Sequence, residues 1–96
     1  MVIKVREIAL AADTGDQGSA VLAYIQRELR EHGDVVISFE GVMNATPSFV
    51  NASFVALLED YSLEEIKRRI KVVKSTRQIN EMIKSRLYRE AELRAA

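Results

Sequence analysis

The stretch Val35-Val36-Ile37-Ser38-Phe39-Glu40-Gly41-Val42-Met43-Asn44-Ala45-Thr46-Pro47-Ser48-Phe49-Val50 decides the fold of this chain. Its first five residues are β-branched or apolar almost without a break, too short for a helix, and typical of a strand covered on both faces. Glu40-Gly41 ends that run. Thr46 and Pro47 are a helix start signal: a cap residue whose hydroxyl can accept from the first turn, then proline at the first helical position. Beyond them Val50, Phe54, Leu57, Leu58 and Tyr61 return at helical spacing and make one apolar face.

Working outward to the N-terminus, Val2, Ile3 and Val5 begin an extended run that continues loosely through Ile8 and Leu10, until the turn residues of 11–16 break it. Thr14 and Gln17 have the spacing of a capping box, with Asp16 as a competing cap. Val21, Leu22, Ile25 and Leu29 then form the apolar side of a helix whose other side carries Arg27, Glu28, Arg30 and Glu31. His32-Gly33 closes it, glycine being the usual left-handed terminator. Toward the C-terminus, Ser62 and Glu65 open a short helix and Ile70-Lys71-Val72-Val73 is a third strand. Ser75 with Gln78 caps a last helix built on Ile79, Met82, Ile83 and Leu87, with Leu93 near its end.

The resulting order, β-α-β-α-(short helix)-β-α, predicts an α/β fold with a small, mostly parallel sheet, right-handed crossovers and helices packed on the sheet. Strands 35–39 and 70–73 are expected as neighbours at its centre. At 96 residues, without repeats or linkers, the chain is read as one domain, 1–96.

Composition narrows the chemistry. Cysteine is absent and histidine occurs once, at His32, which leaves no thiolate nucleophile, no disulfide framework and no multi-histidine metal site. No stretch approaches the roughly 20 apolar residues that cross a bilayer, and the opening Met1-Val2-Ile3-Lys4-Val5-Arg6 lacks the order of a secretion signal. A cytoplasmic location is expected. The net charge is zero but divided: residues 1–65 hold four Lys/Arg and eleven Asp/Glu, residues 66–96 ten and three. That division admits a nucleic-acid-binding reading through Lys67, Arg68, Arg69, Lys71, Lys74, Arg77, Lys84 and Arg86, although the aromatic stacking residues of single-strand binders are missing there.

Catalytic motifs are wanting. Gly15 and Gly18 lie in the first βα connection but lack the third glycine and the spacing of a dinucleotide fingerprint. A small-ligand or nucleotide site would have to combine loop 13–19 with the turn 43–48, at the carboxyl ends of the strands. The neighbouring carboxylates Glu59/Asp60 and Glu64/Glu65 do not face each other on a helix. No cofactor, metal or enzymatic activity is expected.

The segment Ile37-Ser38-Phe39-Glu40-Gly41-Val42, with Ser48-Phe49 opening the next helix, resembles the signature of STAS domains, the fold of anti-sigma factor antagonists. It is closer still to the branch of STAS-like domains of unknown function. The resemblance runs from about Gly18 to Leu87. It implies a regulatory module that docks on a protein partner, a histidine-kinase-like ATPase or a transcription regulator, through the turn 43–48 and the start of the following helix. The residues so implicated are Asn44, Thr46, Ser48 and Asn51. In anti-sigma factor antagonists the turn carries Asp-Ser-Ser-Gly and a partner kinase phosphorylates the second serine, which Ser48 matches. Thr46, Pro47 and Phe49 replace the other three residues. A phosphate on the second residue of a helix would meet free N–H groups and a favourable dipole. The alternative role for Thr46 and Ser48 is simply to cap that helix.

Overall fold

The structure, a computed structural model, describes residues 2–95. Three short strands, β1 (Val2–Lys4), β2 (Val35–Ser38) and β3 (Ile70–Val73), form a parallel sheet in the order β1-β2-β3. Strands β2 and β3 are neighbours as expected, but only β2 is central. The three residues of β1 occupy its other side and leave β3 at an edge. Registry sets Val2 beside Val36 and Lys71, Ile3 beside Ile37 and Val72, and Lys4 beside Ser38 and Val73.

Because side chains alternate across a pleated strand, these rows divide the sheet into two unlike faces. Val35, Ile3 and Ile37 are almost wholly buried on one. The opposite face carries Val2 at 47% exposure, half-buried Val36 and Val73, exposed Lys4 and Lys71, and one buried side chain, Ser38, between Lys4 and Val73. Two successive right-handed crossovers running in the same direction put their helices on the same side, and the second face gets no helical layer. The uninterrupted hydrophobicity of β2 predicts cover on both faces; on the second face that cover is partial and comes without a helix, Ser38 being buried and Val36 half-buried. Val36 keeps partial shelter from Val2 and Val73 beside and diagonal to it.

The first crossover departs from the expected long strand. After Lys4 the chain turns into a single helical turn, α1 (Val5–Ile8), closed by Ala9 N–H donating to Val5 O at 2.8 Å. Val5 is fully buried and Leu10 is 87% exposed, so the apparent alternation along 2–10 is not that of one strand. Helix α2 (Gly15–His32) has the predicted Thr14/Gln17 capping box and ends on Gly33 at φ 82°. It lies against α3 (Pro47–Ser53), closely enough that a Cβ on Gly18 would stand 2.4 Å from Phe49 O. Phe39, Phe49 and Phe54 fill the centre, Phe39 edge-to-face with Phe49 and stacked with Phe54.

The expected continuous helix through Tyr61 stops early. Helix α3 ends at Ser53 and a 3₁₀ turn, Val55–Glu59, follows. The fully buried Ser53 hydroxyl donates to Phe49 O at 2.7 Å, and Leu57 N–H reaches back only three residues, to Phe54 O. Serine back-bonding of this kind bends helices, and the tightened turn still buries Leu57. Helix α4 (Leu63–Arg69) opens on the predicted Ser62/Glu65 capping box. Helix α5 (Arg77–Ala95) buries Ile79, Ile83 and Leu87. No helix among the described residues is long and apolar enough to cross a membrane.

Candidate functional site

All three strands of a parallel sheet end at the same edge, so the connections leaving them meet there. At this edge the corner 43–46 is braced from two directions. On one side Thr46 N–H donates to Ala12 O (3.0 Å) and Thr46 Oγ1 donates to Asp13 O (2.6 Å). The same oxygen accepts from Phe49 N–H at 3.2 Å, capping α3. On the other side the Gln78 amide clasps the backbone of Ala45, its Oε1 accepting from N–H (3.0 Å) and its Nε2 donating to the carbonyl (3.1 Å). Thr76 Oγ1 donates to Met43 O (3.0 Å) and accepts from Ile79 N–H (3.2 Å).

Thr46 and Thr76 thus do the same two things: each caps its own helix and fastens a neighbouring loop. The cap of α5 is Thr76 and not Ser75, and Gln78 is not its reciprocal partner because its amide is committed to Ala45. Two adjacent hydroxyl residues precede the helix, and the Ser75–Gln78 spacing imitates a capping box. A signal for the right choice is that Thr76 stands three residues before Ile79, the first buried position of α5.

Of the four residues singled out in the turn, three come together. Asn44 and Ser48 are exposed, flanking half-buried Thr46, with Ser48 the second residue of α3. The start of α2 runs alongside: a Cβ on Gly15 would lie 4.0 Å from Ser48 O. Asn51 sits one turn further along and engages α5, its Oδ1 accepting from Arg86 Nε at 3.2 Å.

The other chemistry does not assemble. Loop 13–19 does adjoin the turn 43–48, but Gln17 Oε1 already accepts from the N–H groups of Asp13 (2.8 Å) and Thr14 (3.0 Å), donors a phosphate would need. His32 and the Gly15 end of α2 are separated by the length of that helix, roughly 25 Å at about 1.5 Å per residue, so imidazole and Ser48 are far apart. No metal-binding group of His, Asp and Glu occurs among the described residues.

Nor do the basic residues share one surface. Lys71 stands on the uncovered sheet face, whereas Lys67 and Lys84 border a groove of about 280 Å³ on the helical side. Arg69, Lys74 and Arg77 are near Glu65 (3.5 Å), Glu40 (3.9 Å) and Glu81 (3.5 Å).

Comparison with known proteins bears on the same segment. A family model described as a STAS-like domain of unknown function matches residues 17–80, which include α2 from Gln17 onward, the central strand, the braced corner and the start of α5. The chain belongs to this family. No curated protein and no solved structure gives a match. In this STAS-like domain the matched region ends two residues beyond Gln78, so both sides of the brace lie within it except the Ala12 and Asp13 carbonyls.

Proposed function

We propose that this STAS-like domain is a non-catalytic regulatory module in the manner of anti-sigma factor antagonists, and that it docks through Asn44, Thr46, Ser48 and the first turns of α3. The observation that carries this reading is the double brace. A corner whose backbone is tied to both neighbouring connections presents Asn44 and Ser48 in a fixed geometry, which lowers the ordering cost of docking. The likeness to anti-sigma factor antagonists supports a partner of the histidine-kinase-like ATPase type; a transcription regulator is the other partner such a surface would serve.

Ser48 is the proposed switch. Its hydroxyl is exposed on the first turn of a helix, so a phosphate with about −1.5 to −2 charges at pH 7 would be tolerated by the fold while changing the surface that a partner meets. Asp13 and Asp16 at the start of α2 make the surroundings acidic. Modification therefore deepens an existing negative surface and repels an acidic partner.

The test is incubation with ATP and a histidine-kinase-like ATPase from the same organism, followed by mapping of the modified residue by mass spectrometry. Phosphate on Ser48, lost in Ser48→Ala, is the expected result. Ser48→Asp is expected to weaken partner binding at least tenfold at an unchanged melting temperature. Modification elsewhere, or wild-type binding by Ser48→Asp, overturns the switch.

A further inference from the structure

The core is closed at β2 and left open at β3. On the face that the helices cover, Ile3, Val35 and Ile37 are almost wholly buried, whereas Ile70 and Val72, in the same rows on β3, are only half-buried. The groove bordered by Lys67 and Lys84 exposes them: Ile70 and Val72 form its strand wall, Ile83 and Leu87 its helix wall. Beside this groove β3 has no further strand. Phe39 N–H donates to Val73 O at 3.1 Å, so Val73 turns its backbone toward β2. Backbone direction alternates along a strand, and Val72 N–H and C=O therefore point out of the sheet at its open edge.

An open strand edge beside an apolar groove is the arrangement in which an extended peptide adds as a further strand. Its main chain bonds to the edge and its alternate side chains enter the groove. Charge selects the peptide. No carboxylate lines the groove, and none of the ion pairs among the described residues involves Lys67, Lys71 or Lys84. Lys67 Nζ stands 5.4 Å from the centre of the Tyr88 ring at the groove's rim, and Lys71 is exposed on the opposite face of β3. An added strand alternates its side chains between these two faces, so apolar residues meet the groove while carboxylates meet Lys71. We propose that the β3 edge binds an extended acidic segment of another protein as a fourth strand, paired with Val72, with carboxylates near Lys67, Lys71 and Lys84. Nucleic acid would account for the lysines but for neither the apolar walls nor the open edge. The surface shares no residue with the corner at Ser48.

The experiment is a ¹H–¹⁵N titration of the whole chain with four probes. They are acetylated, amidated Glu-Glu-Val-Glu-Val-Glu-Glu; the same peptide with lysine for every glutamate; the acidic peptide N-methylated on both valines and the glutamate between them; and oligothymidylate. Saturable shifts confined to residues 66–73 and 80–88 are expected with the acidic peptide, with amide exchange at Val72 slowed at least tenfold. The lysine peptide, which repels the rim, and the methylated peptide, which lacks the donors for the edge, are expected to bind at least tenfold more weakly. The double variant Lys67→Glu/Lys84→Glu, at exposed positions, is expected to weaken the acidic peptide at least tenfold at an unchanged melting temperature. Val72→Pro removes the outward N–H where an edge strand tolerates proline and is expected to abolish binding; the lysine variant serves if it fails to fold. Tighter binding of oligothymidylate on the same residues assigns the surface to nucleic acid and overturns the proposal. Protection of Val72 that rises with protein concentration without peptide assigns the edge to a second copy and does the same. So does undiminished binding by the lysine or methylated peptide, by the lysine variant, or by a folded Val72→Pro chain.

Discussion

Two side chains show how much of the fold is fixed residue by residue. Gly18 lies where α2 presses on α3, and an added methyl would collide with the Phe49 carbonyl and, at 2.9 Å, with Ala52 Cβ. Alanine normally favours a helix over glycine by about 1 kcal/mol, yet here overpacking reverses the sign. Gly18→Ala is expected to destabilise by about 1–3 kcal/mol in urea unfolding. Gln78 acts differently, by satisfying both backbone groups of buried Ala45. Gln78→Ala is expected to cost about 1 kcal/mol and to speed amide exchange at Ala45 selectively. Neither role is legible in sequence. A glycine needed for close approach looks like any loop glycine, and the partner of Gln78 lies 33 residues away.

Elements were legible where local chemistry alone decides them. Both capping boxes, the Gly33 terminator and the Thr46-Pro47 start are written in residues four or fewer apart, and the structure has them all. The failures are tertiary: Val5 is drawn into the core by one helical turn, Ser53 bends the chain out of α3 as its hydroxyl finds the Phe49 carbonyl, and the Ser75/Gln78 cap gives way to Thr76 because the Gln78 amide is taken up by Ala45. The second capping box also has a pH consequence. The Ser62 N–H bonded to Glu65, aided by Arg69 and Arg68, holds the Glu65 carboxyl below its ordinary range. A group whose folded pKa lies below the unfolded one stabilises fully above the unfolded value, about 4.3 for glutamate, and loses that contribution as pH falls through the folded one. Acid is therefore expected to fray α4 at its N-terminus, visible as chemical-shift changes at 62–66. In Glu65→Gln the cap should persist, and those shifts should no longer move with the carboxyl's titration.

For the molecule as a whole, the strand-helix alternation made the parallel sheet legible, and the family segment located the corner among its connections. What the alternation does not disclose is the number of layers. That depends on the direction of successive crossovers, which here agree and gather the helices on one side. The burial of Glu28 was equally hidden, since Glu28 reads in sequence as one more charge on the solvated side of α2. It is buried only because β1 and α1 close over that side.

The one-sided arrangement has a cost in colloidal behaviour. Val2, Val36 and Val73 make an apolar patch on a sheet with open edges, and such a surface invites pairing between copies unless something spoils the match. Lys4 and Lys71 flank that patch, one on each edge strand. Their ammonium groups would have to be stripped of water if two such faces met. Replacing Lys71 by valine would join it to Val36 and Val2 in one unbroken row, and light scattering should then find a well-folded chain growing into assemblies as concentration rises.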